Sequence, residues 1–397
     1  MSPMRGRCMV IKREGDRTVL EAARNRIINA FSNKRKVYVS FSGGKDSLCL
    51  LDLVLKLSEQ GKIDPSQIIV EFVDEEAIFE CIEKSVLTWR KKVLFAGGQF
   101  NWFCVEVRHF SCFNNLEEDE TFICWDSAKK DSWVRKPPSF AITQIPNELQ
   151  NRRQKYRRKY YTYQEFLEDH NSDGIVLTGV RMAESLQRVK FMTYSFTAKG
   201  GLARGNMVWP MYDWKDSDVW RYLYENNIEI PNIYLYLYQT GSKLRELRVS
   251  QFFSVDTAKS LVKMNEYYPD LMDRIIRREP NAYLAALYWD SEMFRHSSKK
   301  RRELEDPKDY KAEVYRLLKN PIEHFHSKGS LKNAKRMIQL LVKYGICIVE
   351  EKKIYKLIYD CLIGGDPKSR TLRAIITNIN MSYAHGGRKN NAKTRAK

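Results

Sequence analysis

The feature that most constrains the fold is a glycine-rich loop between a predicted strand and a predicted helix. Val37–Phe41 is β-branched and aromatic, and Leu48–Leu57 is almost continuously apolar. Between them lies Ser42-Gly-Gly-Lys-Asp-Ser47. Two adjacent glycines let the backbone turn sharply and approach a ligand closely. The helix start that follows offers free N–H groups to an anion. The pattern therefore predicts an anion-binding turn inside an α/β domain.

The alternation of strands and helices continues downstream. Ile68–Val73, Phe103–Val107 and Ile175–Val180 are further predicted strands. Strands that are apolar on both faces and alternate with helices indicate a mainly parallel sheet with helices on both faces. Ligands of such sheets bind at the carboxyl ends of the strands. The residues predicted at that edge are Ser42–Ser47 after the first strand, Asp74 after the second and Arg181 after the fourth.

Length and local composition divide the chain into two domains and a tail. It has 397 residues, and about 150 residues per domain is typical. We predict an α/β domain over residues 1–250, with an irregular basic insert at 109–172, and a mostly α-helical domain over 251–384. Residues 385–397 are basic and poor in apolar side chains, which predicts a disordered tail.

The sequence lacks the apolar runs that membrane insertion and secretion require. No stretch approaches the roughly 18 uncharged apolar residues of a membrane helix, and Met1–Arg17 carries charges throughout. The eight cysteines lie mostly in apolar runs, as reduced, buried thiols do. We therefore expect a cytoplasmic protein without a membrane partner.

The net charge of +19 favours an anionic partner. Arg152–Lys159 interleaves basic side chains with a tyrosine, and two more tyrosines follow, which suits a nucleic-acid backbone and unstacked bases. A solvated helix face explains the same segment equally well. The basic tail, Arg388–Lys397, is a second candidate for nonspecific contact with nucleic acid. The sequence leaves both alternatives open.

The residue types of the loop fit a phosphate site. Its two hydroxyls donate hydrogen bonds, its glycines expose backbone N–H groups, and Lys45 adds a positive charge. Asp46 repels phosphate, so it either orients the loop or binds Mg²⁺. The spacing differs from that of a Walker A loop. The predicted nucleotide-binding residues here are Ser42, Gly43, Gly44, Lys45, Asp46 and Ser47.

A second candidate segment follows the fourth predicted strand, which ends near Gly179. On a helix, Arg181, Glu184 and Arg188 share one face. Two guanidinium groups held by a carboxylate between them form a good site for phosphate or sulfate. The alternative is a surface ladder of ion pairs, which contributes little stability.

Other polar residues have weaker patterns. Asp74 is a candidate for a ribose hydroxyl or a metal, with Glu75 and Glu76 as alternatives and a helix cap as the structural explanation. Asp213 or Asp216 is expected to cap the next helix, whose tryptophans we interpret as packing residues. Cys104, His109, Cys112 and Cys124 lack the paired spacing of a zinc site, so we favour buried, unligated side chains there.

Three motifs in this order resemble a known family. Ser42–Ser47 resembles the SGGxDS signature of the PP-loop ATP pyrophosphatases. Gly179–Ser185 resembles the G-x-R-x-x-E-S segment of phosphoadenosine phosphosulfate (PAPS) reductase-like proteins, and Pro210–Trp220 resembles their P-x-x-D-W-x-x-x-D-V-W segment. Further segments resemble the immunoglobulin-binding-regulator-A type of subgroup, namely Leu20–Arg24, Glu76–Phe79, Trp133–Pro138 and Tyr234–Gly241.

The resemblance implies an adenine nucleotide α-hydrolase-like fold that binds ATP, or a related adenine nucleotide, with Mg²⁺. It implies attack on the α-phosphorus, adenylyl transfer and pyrophosphate release. Lys45, Asp46 and Arg181 are then the expected catalytic residues, with Asp46 as the candidate Mg²⁺ ligand. Gly179, Glu184, Arg188 and Asp74 complete the expected nucleotide site. Proteins of the subgroup often occur beside a ParB-like partner protein.

Two other functions stay open. A sulfonucleotide (PAPS) reductase needs a thiolate in a Cys-Gly context, and no cysteine here is followed by glycine. Cys347 and Cys361, the cysteines after the third motif, lie in apolar runs typical of core thiols. The remaining alternative is a non-enzymatic regulator that uses a nucleotide to control binding to DNA or to a partner protein.

Overall fold

The computed structural model describes residues 17–32, 36–114, 121–155, 160–184, 188–189, 192, 203–204, 206–239, 241, 247, 252, 265–288, 307–320, 328–344, 348–365, 372–373 and 376. The chain divides into two units, Met1–Trp289 and Asp290–Lys397. Within the described part, no helix is both long and apolar enough to cross a membrane. The predicted disordered tail, 385–397, lies outside the described residues.

The first unit contains a six-stranded sheet in the order β3-β2-β1-β7-β9-β8. Every pairing in it is parallel except that of β8 with β9. A smaller sheet has the order β5-β4-β6. The strands are β1 Lys36–Ser40, β2 Ile68–Val73, β3 Gln99–Phe103, β4 Val107–Phe110, β5 Thr121–Cys124, β6 Tyr161–Thr162, β7 Gly174–Leu177, β8 Ala203–Arg204 and β9 Met207–Val208.

Nine helices of the first unit are described. They are α1 Val19–Ser32, α2 Lys45–Glu59, α3 Glu80–Phe95, α4 Asn147–Lys155, α5 Tyr163–His170, α6 Asp216–Glu225, α7 Ile233–Gln239, α8 Pro269–Arg278 and α9 Asn281–Tyr288. α1 begins with a capping box, in which Thr18 and Glu21 exchange side-chain-to-backbone hydrogen bonds. The predicted mainly parallel sheet with helices is confirmed.

The centre of this sheet is buried on both faces. Val37 and Val39 on one face of β1 have no exposed surface, Tyr38 on the other face is 5% exposed, and ten of the fifteen residues of α2 are buried. A strand and a helix of this kind bury apolar area worth about 25 cal/mol per Å². Burial of β1 and α2 therefore fixes the position of both ends of the loop between them.

The third predicted strand, Phe103–Val107, is displaced in the structure. β3 begins at Gln99, directly after a glycine pair, and ends at Phe103. β3 is an edge strand, and its outer side ends on a single bridge to Ile142, where the N–H of Cys104 donates to the carbonyl of Ile142 at 2.9 Å. Val107 then starts β4 in the small sheet. The apolar run thus belongs to two strands.

The boundary between the two units lies after Trp289, not after residue 250 as the sequence predicted. The reason is in α8. The guanidinium of Arg278 pairs with the carboxylate of Glu76 at 2.8 Å, and neither side chain is more than 1% exposed. Arg278 also donates to the carbonyl of Ile123 at 2.7 Å. Charged helices after residue 250 therefore belong to the α/β unit.

The second unit is helical, as predicted. Its described helices are α10 Tyr310–Lys319, α11 Lys328–Tyr344 and α12 Ile348–Asp360. Their apolar faces meet in one core that includes Val314, Met337, Ile358 and Leu362.

Candidate functional site

The loop Ser42–Ser47 lies at the carboxyl edge of the sheet, between β1 and α2. The N–H of Phe41 donates to the carbonyl of Glu71 at 2.9 Å, so the chain stays on the sheet up to the loop. Gly43 has a φ of +73°, and a Cβ there would lie 2.8 Å from Cγ2 of Val86. Both facts require glycine at position 43, since side chains avoid this conformation and this space.

The two serines close the loop on itself. Oγ of Ser47 donates to the carbonyl of Gly44 at 2.9 Å and accepts from the N–H of Ser42 at 3.2 Å. The two hydroxyl oxygens are 3.1 Å apart. Ser47 is buried, whereas Ser42 is exposed. The hydroxyl of Ser42 is therefore the one that a ligand reaches first.

The first turn of α2 has a partner that no local sequence pattern predicts. The N–H of Lys45 donates to the hydroxyl of Tyr234 at 2.8 Å, and Tyr234 is buried. A Cβ on Gly44 would lie 3.2 Å from the same hydroxyl. Burial raises the pKa of Tyr234, which keeps the phenol protonated. Its own O–H remains able to donate.

The expected catalytic residues form one buried ionic network. The ammonium of Lys45, only 2% exposed, contacts a carboxylate oxygen of Asp46 at 2.9 Å. The other oxygen of Asp46 accepts from Nε of Arg181 at 2.5 Å. Arg181 has no exposed surface and also pairs with Asp216 at 2.8 Å. The structure thus brings Lys45, Asp46 and Arg181 together, with their charges directed at one another.

The predicted two-arginine face around Glu184 is not formed. Arg181 precedes a short 3₁₀ helix, Met182–Glu184, and its guanidinium turns toward α2. Glu184 accepts from the backbone N–H of Arg181 at 2.9 Å and pairs with the side chain of Arg188. A face at α-helical spacing needs a continuous α-helix from 181, and the described turn is 3₁₀. Arg188 remains the exposed cation of the pair, 41% exposed. Ser185 lies outside the described residues.

Gly179 has a packing role at the same place. A Cβ there would lie 3.0 Å from the backbone carbonyl of Asp46 and 3.2 Å from the N–H nitrogen of Ser47. The chain after β7 therefore approaches the start of α2 more closely than a side chain permits. This contact places Arg181 beside Asp46.

Asp74 is fully buried, and both of its carboxylate oxygens accept hydrogen bonds from other residues of the protein. Its carboxylate accepts from the indole N–H of Trp102 at 2.8 Å and from the backbone N–H of Glu76 at 3.0 Å, and it pairs with Arg135. It caps no helix. The predicted contact with a ribose hydroxyl or a metal therefore has no exposed oxygen at Asp74.

Of the three consecutive acidic residues, Glu75 alone faces a cavity. Glu76 accepts from the backbone N–H of Trp125 at 2.7 Å and pairs with Arg278. Glu75 lines a narrow cavity of about 80 Å³, together with Ser42 of the loop. The other lining residues are mostly aromatic or aliphatic, namely Phe41, Phe72, Val73, Ala77, Ile78, Phe79, Ile82, Tyr163 and Phe252. The sequence named Glu75 as an alternative, but no local pattern indicated the aromatic wall.

The described cysteines form no metal site. Among the described residues, no three His, Cys, Asp or Glu side chains come together to hold a metal ion. Cys104 contacts Asp74, and Cys124 contacts the carbonyl of Glu75. Burial raises the pKa of both thiols, as it does for Cys49. Cys361 is buried in the helical unit, and Cys347 lies outside the described residues.

The residues present do not fit a protein-built Mg²⁺ site at Asp46. Mg²⁺ binds oxygen ligands in near-octahedral geometry, so a protein ligand must have a carboxylate oxygen free to coordinate it. Both carboxylate oxygens of Asp46 are already paired with cationic groups, those of Lys45 and Arg181. No step below is assigned to a metal held by this carboxylate.

The third motif has structural contacts. Asp213 makes a two-point ion pair with buried Arg26, both oxygens lying 2.9 Å from guanidinium nitrogens. Trp214 is buried. The predicted cap of α6 is wrong in its residue, since Lys215 occupies that position and its N–H donates to Asp218 at 2.7 Å. Asp216 lies inside the helix, where it pairs with Arg181 instead.

The structure describes only the backbone of the first part of the predicted nucleic-acid segment. Arg152–Lys155 belongs to α4, but its side chains lie outside the described residues, as do residues 156–159 and Arg388–Lys397. Contact with nucleic acid stays a prediction.

Residues 132–241 match the phosphoadenosine phosphosulfate reductase domain family. The match includes Gly179, Arg181, Glu184 and Arg188, and loop 42–47 lies before it. An uncharacterized protein of Escherichia coli strain K12, YbdN, is 26% identical over 338 residues, 78% of each chain.

Two solved structures that the chain matches are more distant in sequence. The PAPS reductase of Candida auris, a phosphate complex, is 15% identical, covers 59% of this chain and 89% of its own, and has a TM-score of 0.32. The U34-tRNA thiolase NcsA of Methanococcus maripaludis is 13% identical, covers 70% and 80%, and has a TM-score of 0.31. The parallel sheet with helices is the fold shown, and residues 132–241 are similar to the PAPS reductase domain.

Proposed function

We propose that the carboxyl edge of β1 and β2 binds ATP or a related adenine nucleotide. The observation that carries this proposal is the position of Ser42, which belongs both to the glycine loop and to the wall of the aromatic cavity. Phosphates fit the loop, where hydroxyls and the start of α2 meet an anion. We place a flat base against the aromatic side chains of the cavity, whose volume of about 80 Å³ must widen to admit it. One ligand that joins the two parts is a nucleotide.

The proposed reaction is adenylyl transfer. An acceptor oxygen attacks the α-phosphorus, and a new O–P bond forms. The bond from that phosphorus to the bridging oxygen breaks, and pyrophosphate leaves with the electron pair. The acceptor's proton passes to solvent. Hydroxyl and N–H donors of loop 42–47 stabilise the charge that develops, which is the largest contribution in reactions of this kind.

Within this proposal, Lys45, Asp46 and Arg181 position the loop. Their network joins the first turn of α2 to the segment after β7, and the close approach at Gly179 holds the two together. Rigid support of this sort keeps the donors of the loop in place before the substrate arrives.

A second candidate is nucleotide binding without turnover, by a regulator of nucleic-acid or ParB-like partner binding. The observation that favours it is the pairing of both cations in the network with carboxylates, which neutralises their charge. The result that would support this candidate is an affinity for DNA that depends on the nucleotide and falls as the salt concentration rises.

The test is incubation with Mg²⁺ and α-labelled ATP, with and without nucleic acid, followed by identification of the labelled products. We expect labelled AMP or an adenylylated acceptor, with pyrophosphate. Ser42→Ala lowers the rate about tenfold, the effect of one lost hydrogen bond. Ser172→Ala is the matched control, because Ser172 is exposed and precedes β7 at the opposite edge of the sheet.

Other outcomes separate the alternatives. Tight ATP binding with unchanged ATP supports the regulator. Sulfite released from PAPS in the presence of a thiol supports the sulfonucleotide reductase. An affinity for ATP too weak to measure contradicts the nucleotide site altogether.

A further inference from the structure

Glu75 differs from its two acidic neighbours in having no cationic partner among its described contacts. Asp74 pairs with Arg135, and Glu76 pairs with Arg278. The nearest basic group to Glu75 is the imidazole of His109, whose Nδ1 lies 3.9 Å from a carboxyl oxygen. That distance exceeds a hydrogen bond. The side chain of Glu75 is 22% exposed and belongs to the cavity wall beside Ser42.

His109, Tyr163 and Cys124, which pack around Glu75, are uncharged near neutral pH, and Asp74 is its charged neighbour. Burial lowers the pKa of His109 to about 4, so its imidazole is neutral. Burial raises the pKa values of Tyr163 and Cys124, with Glu75 as a further cause, so both keep their protons. Burial, aided by the charge of Asp74, raises the pKa of Glu75 to about 8. The cavity thus contains a carboxyl group that is mostly a neutral acid at pH 7.

A neutral carboxylic acid presents one O–H donor beside one C=O acceptor. The amino-bearing edge of adenine presents a ring-nitrogen acceptor beside an N–H donor, which is the complementary pair. The corresponding edge of guanine presents an O6 acceptor, an N1–H donor and an amino donor. A neutral acid at that edge leaves a buried donor unpaired, which is costly. An ionised carboxylate reverses the preference, because it accepts two N–H bonds.

We propose that Glu75 contacts the edge of the base in the aromatic cavity and selects adenine over guanine. This inference rests on the proposed nucleotide site and names its specificity-determining residue. Ser42 on the loop side and Glu75 on the base side then define the two ends of one ligand.

The experiment measures the dissociation constants of ATP, GTP and purine riboside triphosphate, which lacks the amino group, by calorimetry at pH 7.0. We expect the wild type to prefer ATP over each analogue by about 100-fold, since a site built for a hydrogen-bonding group rejects ligands without it. Glu75→Leu reduces both preferences to less than about fivefold. Glu75→Gln keeps them, because an amide presents the same donor and acceptor.

A pH series gives a second readout. In the wild type the preference for ATP over GTP falls between pH 7.0 and 8.5 as Glu75 ionises, whereas Glu75→Gln shows no such fall. Glu59→Gln, at the exposed C-terminal end of α2, is the matched control and behaves as the wild type.

The outcomes distinguish this inference from the proposed function. If the wild type binds no nucleotide, the nucleotide site itself is wrong, and the role of Glu75 with it. If the wild type binds ATP but Glu75→Leu, shown to be folded by thermal melting, keeps the preference for ATP, only the role of Glu75 is wrong. Equal affinity of the wild type for ATP and GTP likewise overturns the inference alone.

Discussion

The hydroxyl of Tyr234 accepts a hydrogen bond from the backbone N–H of Lys45 at 2.8 Å, across 189 positions of sequence. A helix leaves its first four N–H groups without partners inside the helix. Here a tyrosine from α7 satisfies one of them at the functional loop, and Trp220 packs edge-on against the tyrosine ring at 5.7 Å. The start of α2 therefore depends on an element far along the chain.

Tyr234→Phe tests that dependence. The substitution keeps the ring and leaves a buried N–H without its acceptor, so we expect a loss of about 1–3 kcal/mol in the free energy of unfolding. Urea titration followed by tryptophan fluorescence measures it. Tyr238→Phe is the control, because Tyr238 is 59% exposed. Equal stability of the two variants contradicts the proposed contact.

Arg181 and Arg188 differ in what their removal costs. Arg181→Ala removes a fully buried cation that the partly exposed Asp46 and Asp216 share, and we expect a loss of about 2–3 kcal/mol. Arg188→Ala removes a partly exposed pair with Glu184 and costs less than about 1 kcal/mol. Denaturant midpoints of the two variants, compared with the wild type, give the answer. A larger loss for Arg188→Ala is the contrary result.

Gly43→Ala separates steric contact from backbone strain. Both Gly43 and Gly61 have positive φ, but a Cβ on Gly43 meets Val86, whereas a Cβ on Gly61 meets nothing within 4 Å. We expect Gly61→Ala to cost about 1 kcal/mol of strain and Gly43→Ala to cost about 2–4 kcal/mol, since overpacking adds to it. Only Gly43→Ala is expected to weaken ATP binding. Calorimetric titration and thermal unfolding measure the two effects.

The pH dependence of stability tests the state of Glu75. Its pKa is raised from 4.5 to about 8 in the folded protein. Between these values the unfolded chain ionises Glu75 while the folded chain keeps the proton. Stability therefore falls as pH rises, by at most about 1.4 kcal/mol per pH unit. Glu75→Gln removes this dependence, so its stability relative to the wild type increases from pH 5 to pH 8. A difference that stays constant over that range contradicts the raised pKa.

The sequence was sufficient where local chemistry determines structure. The run Val37–Phe41, the glycine pair and the apolar helix behind it predict β1, the turn and α2, because strand propensity, glycine and burial agree there. The third strand was misplaced by four residues. Apolar content continues through Phe103–Val107, and nothing in that run marks Phe103 as the last residue that pairs with β2.

Long-range partners account for what the sequence did not predict. Asp74 and Glu75 are adjacent carboxylates with the same local pattern. Asp74 is bound by Trp102 and Arg135, whereas Glu75 lines a cavity. Arg181 turns toward Asp46, 135 positions earlier, rather than toward Glu184. These contacts depend on which side chains the fold brings close together, and no periodicity in the sequence predicts them. The assignment of nucleotide-binding residues thus stays a prediction.

Glu76 precedes its partner Arg278 by 202 residues, so the ribosome makes Glu76 well before Arg278. Phe252, which covers one side of the cavity, also leaves the ribosome late. During that interval the acidic turn after β2 has a charge without its counterion, and the aromatic wall is incomplete. Such an unfinished edge exposes apolar surface to chaperones and proteases. The cavity wall is complete only after Phe252 has been made, and the acidic turn that carries Glu75 gains its last ion pair only after α8.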